Sequence, residues 1–139
     1  MRMRIVLIQL FVALLSLIPT FAGTPSDDRK AILGVWTGGM PGDPPGSIEL
    51  TITPTKVSGR NARNGKSLGV GTYEINPAAK TIDARGIESP VTGRTYLGVY
   101  SLDGNVLKWC ANSRSKNRPK DVVHRPDKDQ WLMVLQRQK

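Results

Sequence analysis

Tyr96-Leu97-Gly98-Val99-Tyr100-Ser101-Leu102-Asp103-Gly104-Asn105-Val106-Leu107-Lys108-Trp109-Cys110 decides the fold. Two apolar runs flank Asp103-Gly104-Asn105. Asp, Gly and Asn tolerate the positive φ that tight hairpin turns require, so the stretch reads as two antiparallel strands over 95–102 and 106–111.

The same grammar extends in both directions. Ile48, Leu50 and Ile52 alternate with Glu49, Thr51 and Thr53, the pattern of a strand with one buried face. Further strands are predicted over 33–37, 47–53, 55–60, 67–76, 81–85 and 130–136, which makes eight. Asn64-Gly65 reads as a second tight hairpin, and Asn76-Pro77 ends a strand because proline cannot donate to a ladder. Residues 38–46, Gly-Gly-Met-Pro-Gly-Asp-Pro-Pro-Gly, form a compact loop. Residues 27–33 are expected to make a short helical turn, with Ser26 or Asp27 as its cap. Eight short antiparallel strands leave exposed edges unless the sheet closes. The expectation is an all-β, small eight-stranded antiparallel barrel preceded by a short helical turn. A β-sandwich is the alternative.

The start of the chain reads as an address. Arg2 and Arg4 precede an apolar run over 5–18, followed by small residues at Thr20 and Ala22. That order is a signal peptide over 1–22, cleaved before Gly23. The run is shorter than the about 20 apolar residues of a comfortable span. An uncleaved signal segment would be the protein's one means of membrane attachment. Residues 23–139 are then one exported domain, periplasmic or secreted. Cys110 is the single cysteine, so no intramolecular disulfide forms. It reads as a small buried hydrophobe, with a free thiol or an intermolecular disulfide as the other readings.

A family resemblance follows from ordered motifs. Gly34-Val35-Trp36, just after the helical turn, resembles the Gly-x-Trp signature of lipocalin and calycin barrels. Gly71-Thr72-Tyr73-Glu74-Ile75-Asn76-Pro77, then Lys80-Thr81-Ile82-Asp83, then 98–110, then Arg118-Pro119 follow in order. This series resembles an uncharacterised lipocalin-like domain family of exported planctomycete proteins, from about residue 33 to 122 and more loosely to 137. The resemblance implies the barrel and no activity. It also implies that Trp36 packs against a basic side chain near the last strand, for which Arg137 is the matching residue. Gly34, Trp36 and Arg137 would then be structural. Here Lys120-Asp121-Val122-Val123 stands where the family places an aromatic residue after its Arg-Pro pair.

Catalytic patterns are absent from the sequence. His124 is the one histidine and reads as a solvated loop residue. Metal centres need three or four suitable ligands, and no phosphate-cradling glycine loop precedes a helix. No cofactor and no metal are expected, and an enzyme is only a third reading. The formal net charge of +9 falls to +7 without Arg2 and Arg4. Its excess sits in two segments: Lys56, Arg60, Arg63 and Lys66, then Arg114, Lys116, Arg118, Lys120 and Arg125. Nucleic acid is not expected as a partner, because neither segment carries stacking aromatics. Two functions follow. The first is a barrel holding a small apolar ligand, with Tyr73, Tyr100, Trp109 and Met133 facing it. The alternative is a packed envelope or interaction module whose basic loops meet an anionic partner.

Overall fold

The computed structural model of the chain describes residues 27–112 and 116–139. The expected signal segment and Arg114 lie outside the described residues. A helical turn, α1 (Asp27–Ala31), leads into β1 (Gly34–Gly39), β2 (Ile48–Ile52), β3 (Lys56–Asn61) and β4 (Ser67–Asn76). β5 (Thr81–Glu88), β6 (Thr95–Asp103), β7 (Val106–Asn112) and β8 (Trp131–Arg137) complete the chain, with a 3₁₀ turn at Pro126–Lys128.

Each strand pairs antiparallel with the next, and β8 returns to β1, so the sheet closes into an eight-stranded barrel. A sandwich is thereby excluded. Closure satisfies the backbone groups that two free edges would expose. In the closing seam Trp36 stands opposite Arg137 and Gly38 opposite Leu135. A Cβ on Gly38 would lie 1.9 Å from the Val134 carbonyl oxygen, so the seam needs glycine there.

Asp103 pairs with Val106, leaving Gly104-Asn105 as a two-residue loop. Only Gly104 of the two takes a positive φ, 56°, the pattern of a type II′ hairpin turn. The second expected tight hairpin differs. Strands β3 and β4 separate by residues 62–66, because the Asn61 side chain accepts the Arg63 and Asn64 N–H groups and closes a wider turn. Strand β5 runs on past residue 85, since Gly86 and Glu88 still pair with Gly71 and Val70. Register shifts occur at Gly59/Arg60 and Val70/Gly71, and such bulges bend and twist the wall near one end.

Alternation directs Ile82, Ala84 and Gly86 of β5, and Leu107, Trp109 and Ala111 of β7, to the interior. The interior is not uniform along the barrel axis. At the end bearing α1, Ile32, Trp36, Tyr100, Leu107 and Leu135 are buried and packed together. The Trp36 indole N–H donates to the Ile32 carbonyl at 2.9 Å. The Arg137 guanidinium lies 4.3 Å from the centre of the Trp36 ring. It donates to the Leu33 carbonyl at 2.8 Å and also to the Ala31 carbonyl. One side chain thus binds the last strand, the first strand and the carbonyl end of α1.

Asp28 adds a second fastening for α1. Its Oδ2 accepts from Lys80 Nζ and from the Tyr100 hydroxyl, each at 2.6 Å. Burial pushes the Asp28 carboxyl up, but the hydrogen bonds from Lys80 and Tyr100 hold it below its usual value. Burial, then the Asp28 carboxylate, push the Tyr100 hydroxyl far above the ordinary tyrosine range.

Candidate functional site

The opposite end carries an apolar cavity of about 310 Å³. It lies where β1, β3, β5 and β7 end and β2, β4, β6 and β8 begin. Ile48, Val57, Tyr96, Ala111 and Met133 line its walls, and Met40, Leu68 and Trp131 stand nearer its rim. Among the described residues, Arg85 is the one charged residue of the lining.

Leu50, Val57 and Trp109 border both this cavity and a void of about 10 Å³ on the side of the sealed end. A void that small barely admits one water molecule. The cavity therefore stops at a packed floor. Trp109 is fixed in that floor by its indole N–H, which donates to the Ile82 carbonyl at 3.2 Å. Gly98 makes the crossing possible, since a Cβ there would come within 2.3 Å of Trp109 Nε1.

The cavity exists because small residues occupy inward positions. Gly59, Gly69, Gly71, Ala84, Gly86 and Ala111 all contribute to its lining. Gly69 and Gly86 also admit Val91, from the loop between β5 and β6. A Cβ on Gly69 would lie 2.4 Å from Val91 Cγ2, and one on Gly86 would lie 1.8 Å from the Val91 carbonyl oxygen. That loop is pinned by hydrogen bonds from Gly86 N to Arg94 O at 2.8 Å and from Gly93 N to Gly86 O at 2.9 Å. Val91 thus forms part of the cavity wall.

The four residues expected to face a ligand separate into two pairs. Trp109 and Met133 line the cavity. Tyr100 and Tyr73 do not, because their hydroxyls are committed to the sealed end. Tyr100 donates to Asp28, and Tyr73 donates to the Thr53 carbonyl at 2.7 Å. Burial pushes the Tyr73 hydroxyl above its ordinary value. Gly34, Trp36 and Arg137 also belong to the sealed end.

The basic segments prove less uniform than their sequence. Glu49, one strand away, pairs with Arg60 at 2.8 Å. Arg125 pairs with Asp121. Arg118 reaches across to β5, where both its terminal nitrogens bond the Asp83 carboxylate, and it donates to the Gly98 carbonyl at 2.9 Å. Gly98 N–H in turn donates to Asp83 Oδ1 at 3.2 Å. This trio bridges β5 and β6 where their ladder lacks regular pairing between Thr81 and Ala84. Arg118 is therefore a structural tie and not a member of a free basic surface. Lys56, Arg63, Lys66, Lys116 and Lys120 are exposed.

His124 departs from its expected setting, whereas Cys110 is buried as expected. His124 is not simply solvated: its Nδ1 accepts the Leu132 N–H at 3.2 Å, and its ring stands edge-on to Trp131 at 5.7 Å. Cys110 points outward from β7, yet it is fully buried and donates to the Val123 carbonyl at 3.4 Å. Burial pushes its thiol above the usual value. An intermolecular disulfide would require the segment around Val123 to lift away.

Comparison with family models, curated proteins and solved structures gave no match.

Proposed function

We propose that this protein is an exported lipocalin-like barrel that binds a small apolar ligand at its unsealed end. The observation that carries the reading is the cavity of about 310 Å³ with apolar walls and a packed floor. Ligand sites are concave and mostly apolar, from about 300 Å³ upward. A dry apolar cavity of about 150 Å³ accommodates benzene. Twice that volume suits a two-ring aromatic or a short acyl chain. The lining is poor in polar groups, so affinity comes from burying apolar surface, at about 25 cal/mol per Å².

The competing idea of a solidly packed module with basic loops has less support. The interior is unfilled at one end, and Arg60, Arg118 and Arg125 are engaged in ion pairs.

The test is titration with a naphthalene-sized apolar fluorophore. Saturable binding at micromolar protein is expected, with displacement by a short-chain fatty alcohol. Enhancement that rises linearly without saturating, or that persists in a cavity-filled Ala111→Phe protein, would refute the reading.

A further inference from the structure

Four large apolar side chains are exposed among the described residues: Leu68, Ile87, Val123 and Trp131, each about 40% accessible (41%, 41%, 42% and 39%). Leu68 is near the start of β4, Ile87 near the end of β5 and Trp131 at the start of β8, all at the cavity end; Val123 lies in the segment that joins β7 to β8 from that end, beside Gln130 and Cys110. The sealed end exposes none among the described residues. Single apolar residues scattered over a surface need no explanation, whereas a group gathered around one opening does.

The same end is basic. Arg63, Lys66 and Arg94 are exposed in the loops of that end, Lys116, Lys120 and Lys128 are exposed in the segment that joins β7 to β8, and Arg85 borders the cavity. Asp43, Glu88, Asp127 and Asp129 oppose them. Glu49, Asp83 and Asp121 are already matched by Arg60, Arg118 and Arg125. Trp131 is held at the rim by its indole N–H, which donates to Asp129 at 3.0 Å, and by the His124 ring. An amphipathic indole with one polar bond and one apolar face suits a water–lipid boundary.

We infer that the rim of the barrel is a docking surface for an anionic lipid bilayer. Leu68, Ile87, Val123 and Trp131 enter the headgroup boundary, and the surrounding cations meet lipid phosphates. The cavity then opens toward the bilayer. Docking is a property of the rim and does not require that the cavity hold a ligand.

Trp131 supplies a local readout. Trp36 and Trp109 are buried and no tryptophan stands in residues 1–26, so acrylamide quenching of the native full chain reports Trp131. Vesicles rich in phosphatidylglycerol should protect Trp131 from acrylamide severalfold and shift its emission to the blue. Protection should fall with salt and be weak on phosphatidylcholine vesicles. Each basic residue at the surface is expected to contribute about fivefold in partitioning. The triple variant Leu68→Ser, Ile87→Ser, Val123→Ser should lose the protection while keeping the same far-ultraviolet spectrum. Lys56→Glu with Lys108→Glu, at other sites, should keep it.

Three results would overturn the inference. Trp131 could remain as quenchable with anionic vesicles as without them. The Lys56/Lys108 variant could lose protection as fully as the rim variant. Protection could also arise without vesicles and grow with protein concentration, which would assign the rim to self-association. Because the readout is Trp131 exposure, failure of apolar-probe binding leaves this test intact, and the converse holds.

Discussion

The two ends of the barrel are built from the same eight strands and reach opposite solutions. At the sealed end, inward positions carry Trp36, Ile52, Ile75, Tyr100, Leu107 and Leu135, and the space inside is reduced to a void of about 10 Å³. At the unsealed end, inward positions carry Gly59, Gly69, Gly71, Ala84, Gly86 and Ala111, and about 310 Å³ is left. Polar groups divide the same way. Trp36, Tyr73, Tyr100, Asp28 and Arg137 all commit polar atoms to hydrogen bonds at the sealed end. The cavity walls offer almost none. Stability is therefore expected to be concentrated at one end, which leaves the other free to hold space.

The largest way to break the contrast is Trp36→Ala. Removing a fully buried tryptophan should destabilise the protein by about 3–5 kcal/mol, read by urea unfolding. A loss below about 1 kcal/mol would show that the sealed end does not carry the stability. Arg137→Ala should cost about 2–3 kcal/mol, because it strips two backbone carbonyls of a charged donor and removes the cation over the indole. Lysine at 137 should recover little, since a point charge cannot bond both carbonyls and cover the ring.

At the other end the expected effects exchange places. Ala111→Phe should fill the cavity and weaken apolar-probe binding by at least about tenfold, which is about 1.4 kcal/mol. Its effect on folding should be small, because free volume receives the new ring and neighbours need not move. If Ala111→Phe instead unfolds the protein while probe binding persists in the folded fraction, the cavity is not where the probe goes.

The fold was largely legible in the sequence. Alternation at 48–53, the Asp103-Gly104-Asn105 turn and the spacing of eight apolar runs led to the barrel and its helical turn. The arrangement of Arg137 over Trp36 was reached only through resemblance, since 101 residues separate them and no local pattern links them. The site was half legible. Large apolar residues were the natural candidates, and Trp109 and Met133 do line the cavity. Tyr73 and Tyr100 looked equivalent because a sequence shows which face a residue occupies, not how far along the axis it sits. The missed signal was the absence of side chains. Glycines at 69 and 71, on one face of β4, and at 86 on β5 mark where volume is withheld. Val91 was invisible because only the return of its loop brings it to those glycines. The basic segments misled for a related reason, as Glu49 and Asp83 neutralise cations distant from them in sequence.

Acid titration gives the smallest effect and the sharpest test of how the sealed end is fastened. Asp28 and Asp83 are both pushed up by burial, yet both are held below the usual carboxylate value by donors: Lys80 and Tyr100 on Asp28, Arg118 and Gly98 on Asp83. A carboxyl whose folded pKa is depressed stabilises the fold at pH values above its unfolded pKa, about 3.9. That contribution is lost as pH falls through the folded value. Stability should therefore be level from neutral pH down to about 4 and decline below it. Asp28→Asn should lower stability at neutral pH and flatten part of the acid decline, because the native charge it would titrate is gone. Asp83→Asn should flatten another part, and the two should add, since they fasten different elements. Only the Asp28 variant should loosen α1, seen as faster hydrogen exchange at the Ile32 amide, which bonds the Asp28 carbonyl at 3.1 Å. If both variants accelerate exchange there equally, Asp28 is not a separate fastening of α1, and the two carboxylates act on the fold as a whole.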